Sequence, residues 1–304
     1  MKPIAALIAL LALALGAAPA AAADRLAVES APFTADAYGD LIAWSSYDAA
    51  AKTYSLRLLR AGQPITPPVE PSGKPFDLDV GPGPDGAPLV VYARAGDLYQ
   101  FDPASGLESP LAEVNTRGIE SSPSIHRSAL AFVRQTRRKP VVYLRKGGDT
   151  RRQPRPRFKQ TLGVDGLELS ARGLFVTYRT DIVPTCCSRA TLYHVVAGKL
   201  RRVFYVGSGG ANFGQIVTPT VFGRNLYFGR TNDGSGQGNN LFRFGLRSRK
   251  LFAARGTSRA LSLTWRGDRF LMSRATATDA TELLVGDPIR FTRATHADQR
   301  RTRP

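Results

Sequence analysis

Short apolar runs recur along the whole chain, each closed by a polar residue and followed by a turn and a second run built on Leu. The stretch GAPLVVYARAGDLYQFD (86–102) shows the unit, two apolar runs either side of a tight Arg-Ala-Gly turn. Six segments align on this outline: DLIAWSS ending at Ser46, PLVVYAR at Arg94, SALAFVR at Arg134, GLFVTYR at Arg179, NLYFGR at Arg230 and RFLMSR at Arg274. Their spacings are 48, 40, 45, 51 and 44 residues. After them come YSLRLLR, GDLYQFD, PVVYLRK, TLYHVV, NLFRFG and TELLVG. Several are preceded by an approach marked by Pro32, Pro123 or Pro219, and a weaker fourth run such as GKLRRVFYV closes most units. The repeat is therefore four strands, here A to D, with the aligned position at the end of strand B. A period of this length suits four short strands per repeat.

Helical periodicity is nearly absent outside the first residues, and alternating strands at regular spacing predict an all-β chain. Six four-stranded antiparallel sheets close radially into a six-bladed β-propeller, which leaves only short, protected edges. A pair of β-sandwiches would use the same strands without needing one period six times. The sixth blade is predicted over about 260–294, with RLAVES (25–30) as an alternative outer strand that fastens the ring. Side chains alternate faces along a strand. Trp44, Tyr92, Phe132, Thr177, Phe228 and Met272 therefore share a face with the aligned positions, as do Ile42, Val90, Leu130, Phe175, Leu226 and Phe270. They are predicted to pack between blades.

The order SPS…ALAFVR and GPDGAPLVVYAR…DLYQFD resembles the repeat of TolB-like β-propellers. There a Ser-Pro turn, an Asp-Gly turn, an Ile-Ala-Phe-like strand and a Leu-Tyr strand follow one another. The resemblance spans residues 24–294 and is most specific at 76–112 and 120–146; a Pro-Asp-Gly turn stands at Pro84, Asp85 and Gly86. It implies a propeller fold and export. The extra N-terminal domain of TolB itself has no counterpart, so the envelope role of TolB is not implied.

Residues 1–23 read as a signal peptide: Lys2, an apolar core, then small residues with Ala21 and Ala23 placed for cleavage before Asp24. That apolar run is short for a bilayer span, and no later stretch suits one. The expected organisation is a signal peptide (1–23), a propeller (24–294) and a basic disordered tail (295–304). The mature chain is expected to be secreted or held in the cell envelope.

Charge changes the picture. Lys and Arg number 42 against 24 Asp and Glu, a formal net charge of +18. Such a balance favours contact with polyanions. The aligned Arg94, Arg134, Arg179, Arg230 and Arg274 could form a positive collar at one rim; the competing reading lays each stem across apolar surface and pairs its head locally. The B–C turns vary most, and Arg137, Arg138 and Lys139 sit in one of them. Binding residues concentrate on variable loops held by a rigid scaffold. Arg151, Arg152, Arg155, Arg157 and Lys159 are assigned to the outer strand of the same blade, where edge charge also deters aggregation. Aromatic interleaving there is limited to Tyr143 and Phe158, so nucleic acid has little support as a partner.

Cys186 and Cys187 are the only cysteines and are adjacent. Neighbouring Cα atoms stand closer than a disulfide normally requires, leaving a strained vicinal bridge, two free thiols, or bridges to a second chain. No metal site or cofactor is indicated, since His126, His194 and His296 are scattered and the zinc-protease and nucleophile-elbow motifs are missing. DGSGQGNN (233–240) lacks the alternating acids of a calcium loop. The leading expectation is a non-enzymatic exported binding module that meets an anionic polymer or a protein partner through its B–C face. The alternative is a propeller hydrolase or lyase for extracellular carbohydrate, drawing acids such as Asp40, Asp181, Asp233 and Asp279 into a central funnel.

Overall fold

Six four-stranded antiparallel sheets stand side by side around a central channel, so the chain is a six-bladed β-propeller. The computed structural model describes residues 24–294 except 138, 158–161, 184–186, 207–213, 217–218, 233–239, 255–258, 267–268, 277–279 and 287–290; for some further strand residues only the backbone is described. Strand β1 (Asp24–Glu29) leads into blade 1, which holds β2 (Ala35–Tyr38), β3 (Leu41–Asp48), β4 (Thr53–Arg60) and β5 (Gln63–Ile65). Blade 2 holds β6 (Asp77–Pro82), β7 (Pro88–Arg94), β8 (Asp97–Asp102) and β9 (Leu107–Pro110). In blade 3 are β10 (Ile119–His126), β11 (Ala129–Gln135), β12 (Pro140–Lys146) and β13 (Asp149–Arg152). Blade 4 comprises β14 (Leu162–Ser170), β15 (Gly173–Val183), β16 (Cys187–Val196) and β17 (Lys199–Val206). Blade 5 has an inner strand in two pieces, β18 (Gly214–Ile216) and β19 (Thr220–Phe222), then β20 (Asn225–Asn232), β21 (Asn240–Gly245) and β22 (Leu251–Ala254). Blade 6 has β23 (Arg259–Arg266), β24 (Arg269–Ala275) and β25 (Thr281–Gly286).

Both chain ends fasten the ring. The outer strand of blade 6 is β1, paired with β25, so the alternative reading of RLAVES holds and residues 260–294 do not supply all four strands. The last strand, β26 (Thr292–Arg293), crosses instead to β22 and widens blade 5. Glu29, at the end of β1, accepts from the Trp44 indole at 3.2 Å, the Ser46 hydroxyl at 3.1 Å and the Tyr47 amide at 3.2 Å. The N-terminal strand thereby ties blade 6 to the B strand of blade 1.

The B strands are apolar on both faces because each blade is sandwiched between two others. Val90 and Tyr92 of β7 pack against Leu41, Ala43 and Leu58 of blade 1, while Val91 of the same strand packs against Leu130 and Phe132 of blade 3. Among the described residues, an apolar cluster fills each of the six seams. The outer strand β13 is exposed throughout. The B–C turn of blade 2 closes on Ala95 and Gly96, with φ of 54° and 95°. Two successive left-handed residues match the twist of the strands they join.

Blade 4 departs from the sequence alignment by one residue. Phe175 faces blade 5, whereas Leu174, Val176 and Tyr178 face blade 3. The residue structurally equivalent to Arg94 and Arg134 is therefore Tyr178, and Arg179 lies on the other face. A one-residue slip flips every side chain of a strand.

Candidate functional site

The inner strands bring together polar residues that the apolar pattern does not reveal. Asp36, Asp79, Ser124, Glu168, Thr220 and Thr264 occupy equivalent positions, each opposite the same B-strand register: Ala43, Val91, Ala131, Phe175, Tyr227 and Leu271. Each side chain reaches the next blade. Asp36 accepts from the Val80 amide at 2.7 Å, Asp79 from the Ile125 amide at 2.8 Å and the Ser124 hydroxyl at 3.2 Å. The Ser124 hydroxyl accepts from the Leu169 amide at 2.8 Å, and Glu168 from the Val221 amide at 2.8 Å. Thr220 and Thr264 stand 3.5 Å apart, and Thr264 hydrogen-bonds to Asp36, which completes the circle. Inner-strand amides on the channel side have no further strand to pair with, and buried amides need partners. The polar circle supplies them and stitches the blades.

Three carboxyls in one constriction disturb one another. Burial pushes the Asp36 carboxyl up to about 6, with hydrogen bonds from Val80 and Thr264 opposing the rise. Asp79 is raised well above the usual carboxylate range by burial and then by the charge of Asp36, to which it is hydrogen-bonded. Burial, followed by the charges of Asp79 and Asp36, does the same to Glu168. Asp36 and Glu168 nonetheless keep part of their surface open to the channel.

The polar circle divides the channel. On the side where D strands lead into A strands, a cavity of about 60 Å³ lies among Thr34, Asp77, Ser122 and Asp165. There Asp77 accepts from the amide and hydroxyl of Ser122 at 2.7 and 3.1 Å, and burial raises its carboxyl pKa. On the side of the A–B turns the channel opens into a chamber of about 510 Å³, walled by Tyr38, Gly81, His126, Ser170, Arg172 and Phe222. Gly81 sets the wall between blades 2 and 3: a Cβ there would overlap the Ile125 carbonyl oxygen.

The aligned arginines do not stand free at their rim. Arg94 pairs with Glu108 at 2.8 Å, donates to the Glu70 carbonyl at 3.3 Å and lies 4.3 Å from the Tyr99 ring centroid. Glu108 also accepts from the Tyr92 hydroxyl. Arg134 pairs with buried Glu120 at 2.6 Å, donates to the Val114 carbonyl at 2.7 Å and covers Tyr143. Tyr178 repeats this contact in blade 4, its hydroxyl donating to the Pro154 carbonyl at 3.1 Å. Arg179, on the opposite face, pairs with Asp165 at 3.1 Å. Arg230 is buried beside Phe242. The side chain of Arg274 and all of Arg138 and Cys186 lie outside the described residues; Cys187 is described only as backbone, opposite Val183. Arg137 is exposed on its B–C turn, with Lys139 half-buried beside it.

Of the outer basic run, only Arg151 and Arg152 belong to β13; Arg155 and Arg157 follow it outside any strand, and Lys159 lies outside the described residues. Of the acids considered for catalysis, Asp40 sits in an A–B turn, where it pairs with Arg60 at 3.6 Å. Asp181 is described only as backbone in β15, and Asp233 and Asp279 lie outside the described residues.

Exposed basic side chains also stand on the opposite face. The A–B turns of blades 3, 4 and 5 present Arg127, Arg172 and Arg224, and the C–D turns outside them present Lys146, Lys199, Arg249 and Lys250. All are exposed, and among the described residues none meets a carboxylate at ion-pair distance. The Arg172 guanidinium donates to the Gly223 carbonyl at 3.3 Å, bridging two A–B turns. The chamber opens in the middle of this arc. Burial and then neighbouring Arg127 lower the pKa of His126. His194 is lowered by burial, with Arg201 and Arg249 adding to the effect.

No protein-family model matches the chain, and no curated protein matches it in sequence. Solved structures match its fold. One chain of a mitotic checkpoint complex is 13% identical with a TM-score of 0.53, over 95% of this chain and 100% of that one. A prolyl endopeptidase is 17% identical with a TM-score of 0.50, over 88% of this chain and 42% of its own. A puromycin-hydrolysing peptidase of Mycobacterium tuberculosis is 13% identical with a TM-score of 0.50, over 83% and 49%. The chain thus spans less than half of either peptidase, and what it shares with them is the propeller fold.

Proposed function

We propose that this chain is an exported, TolB-like propeller that binds an anionic polymer, such as an envelope polymer, through the A–B face of blades 3 to 5. The observation that carries the reading is the contrast between the B-strand arginines and the A–B turn arginines of blades 3 to 5. Arg94, Arg134 and Arg179 already hold carboxylates, whereas Arg127, Arg172 and Arg224 project into solvent without one. Exposed cations clustered on one arc of a concave mouth attract polyanions; the exposed acids Asp40 and Asp85 sit in the A–B turns of blades 1 and 2, outside that arc. Export draws its support from the leader-like residues 1–23, and the TolB-like assignment from the repeat motifs around Pro84 and Pro123. Among the described residues no helix is long and apolar enough to cross a membrane.

A second reading, a hydrolase or lyase for extracellular carbohydrate, draws on the convergence of Asp36, Asp79 and Glu168. Each of these carboxyls has an oxygen committed to a backbone amide of the next blade, which gives it a structural task. Affinity for a polyanion resin, measured across salt, tests the first reading. Counterion release makes such binding fall steeply as salt rises. Retention that is absent at low salt would remove it, and specific turnover of an acidic polysaccharide that Asp79→Asn abolishes would favour the second.

A further inference from the structure

We propose that the wide chamber at the A–B mouth takes a single acid-bearing sugar unit, the acid at the Arg172 rim and the hydroxyls on the polar floor. The assignment rests on the polyanion reading and names the unit of polymer that the face recognises. Its volume of about 510 Å³ lies within the ~300–1,000 Å³ range of small-molecule sites.

Three chemistries meet there. Tyr38 and Phe222, on the blades flanking blade 6, end their inner strands with 37% and 40% of their surfaces exposed, unusual for large apolar rings among the described residues. Such rings offer flat faces to a sugar. Beside them the rim supplies Arg172 and, one turn further round, Arg127. A guanidinium is a planar, always-charged fork suited to a carboxylate or phosphate. The floor is Asp36, Glu168, Thr220 and Thr264, of which Asp36 and Glu168 remain partly open to the channel. Carboxyl oxygens and threonine hydroxyls supply the acceptors and donors that sugar hydroxyls need. A simple inorganic anion would use only the rim, and a neutral sugar only the floor and rings. A ligand carrying both uses the whole chamber.

Calorimetric titration of the whole protein with sodium glucuronate, glucose and inorganic phosphate tests this. Glucuronate is expected to saturate one site, with glucose and phosphate each at least about tenfold weaker. Arg172→Ala and Phe222→Ala should each weaken glucuronate about tenfold, with each variant still folded and melting cooperatively without ligand. Should either variant fail to fold, Tyr38→Ala serves in its place with the same expectation. No saturable glucuronate binding, equal binding of phosphate or glucose, or indifference to these substitutions would each overturn the assignment. Retention on a polyanion resin separates the two levels. If it survives while glucuronate fails, only the chamber assignment falls; if it is lost as well, the polyanion reading falls too.

Discussion

Arg134 and Arg172 stand on neighbouring blades, yet they do opposite things. Arg134 ends a B strand, crosses Tyr143 and closes on Glu120, which is 1% exposed. Arg172 sits in an A–B turn, touches only a neighbouring carbonyl and faces solvent. The difference comes from where the blade places each stem. A B-strand terminus lies over the seam to the preceding blade, so its side chain packs and its charge must be matched in place. An A–B turn overhangs the channel mouth, and the Arg172 charge there meets a carbonyl of the next turn and solvent, with no carboxylate among the described residues. In a protein of net charge +18, counting cations does not locate a surface; asking which cations already hold a carboxylate narrows the choice.

The largest effect expected from this contrast is on stability. Arg134→Ala leaves Glu120 buried without its partner, and breaking a buried pair by removing one member costs about 3–5 kcal/mol. Arg172→Ala should stay within about 0.5 kcal/mol of the parent, as exposed substitutions do. Urea unfolding of the two variants side by side checks this. Equal losses would erase the distinction between the rims.

The fold was legible because blade packing forces an apolar B strand at every repeat, and those strands dominate the pattern. PLVVYAR and ALAFVR carry the period unaided. The polar circle was not legible, because its members are Asp, Ser, Glu and Thr in turn and share only the capacity to accept a hydrogen bond. Aligning the inner strands on a polar residue followed by an apolar one (Asp36-Ala37, Asp79-Val80, Ser124-Ile125, Glu168-Leu169, Thr220-Val221) would have found it. Blade 4 misled the alignment because Arg179 follows Tyr178 directly. The more conspicuous residue was the wrong one of the two. The ring's closure was legible only as an alternative, since RLAVES pairs with a strand some 250 residues away.

The next effect in size concerns pH. Asp36 keeps its proton up to about 6 in the folded chain, against 3.8 for an ordinary aspartate. Across that interval the folded state binds more protons than the unfolded one, so stability falls as pH rises. The Asp36 contribution is fully present below about pH 4 and lost through about pH 6, on the order of 3 kcal/mol. Asp36→Asn keeps an acceptor for the Val80 amide but cannot titrate, and its urea midpoint should change less between pH 4 and 7. An unchanged pH slope would exclude Asp36 as its source. At fixed pH, Asp79→Ala strands the Ile125 amide and should cost about 1–3 kcal/mol, and Asp79→Asn less.

A smaller effect sharpens the register of blade 4. Tyr178→Phe removes the hydroxyl that donates to Pro154 and should cost about 1 kcal/mol. If Tyr178 is the counterpart of Arg134, substituting Tyr178 must disturb the seam between blades 3 and 4 more than Arg179→Ala, whose pair with Asp165 is partly exposed. A thermal scan in which Arg179→Ala is the more damaging change would restore the alignment read from sequence.

The most direct test of the central claim is the salt at which the protein leaves a heparin resin. The parent is compared with a variant carrying Arg127→Glu, Arg172→Glu and Arg224→Glu, and with one carrying Arg137→Glu, Arg138→Glu and Lys139→Glu. Each lost contact lowers the salt slope of binding by about one. The A–B variant should therefore elute at markedly lower salt, with the slope reduced by about two to three, while the B–C variant elutes close to the parent. Early elution of the B–C variant alone, with the A–B variant unchanged, would place the binding face on the opposite side of the ring and contradict the account.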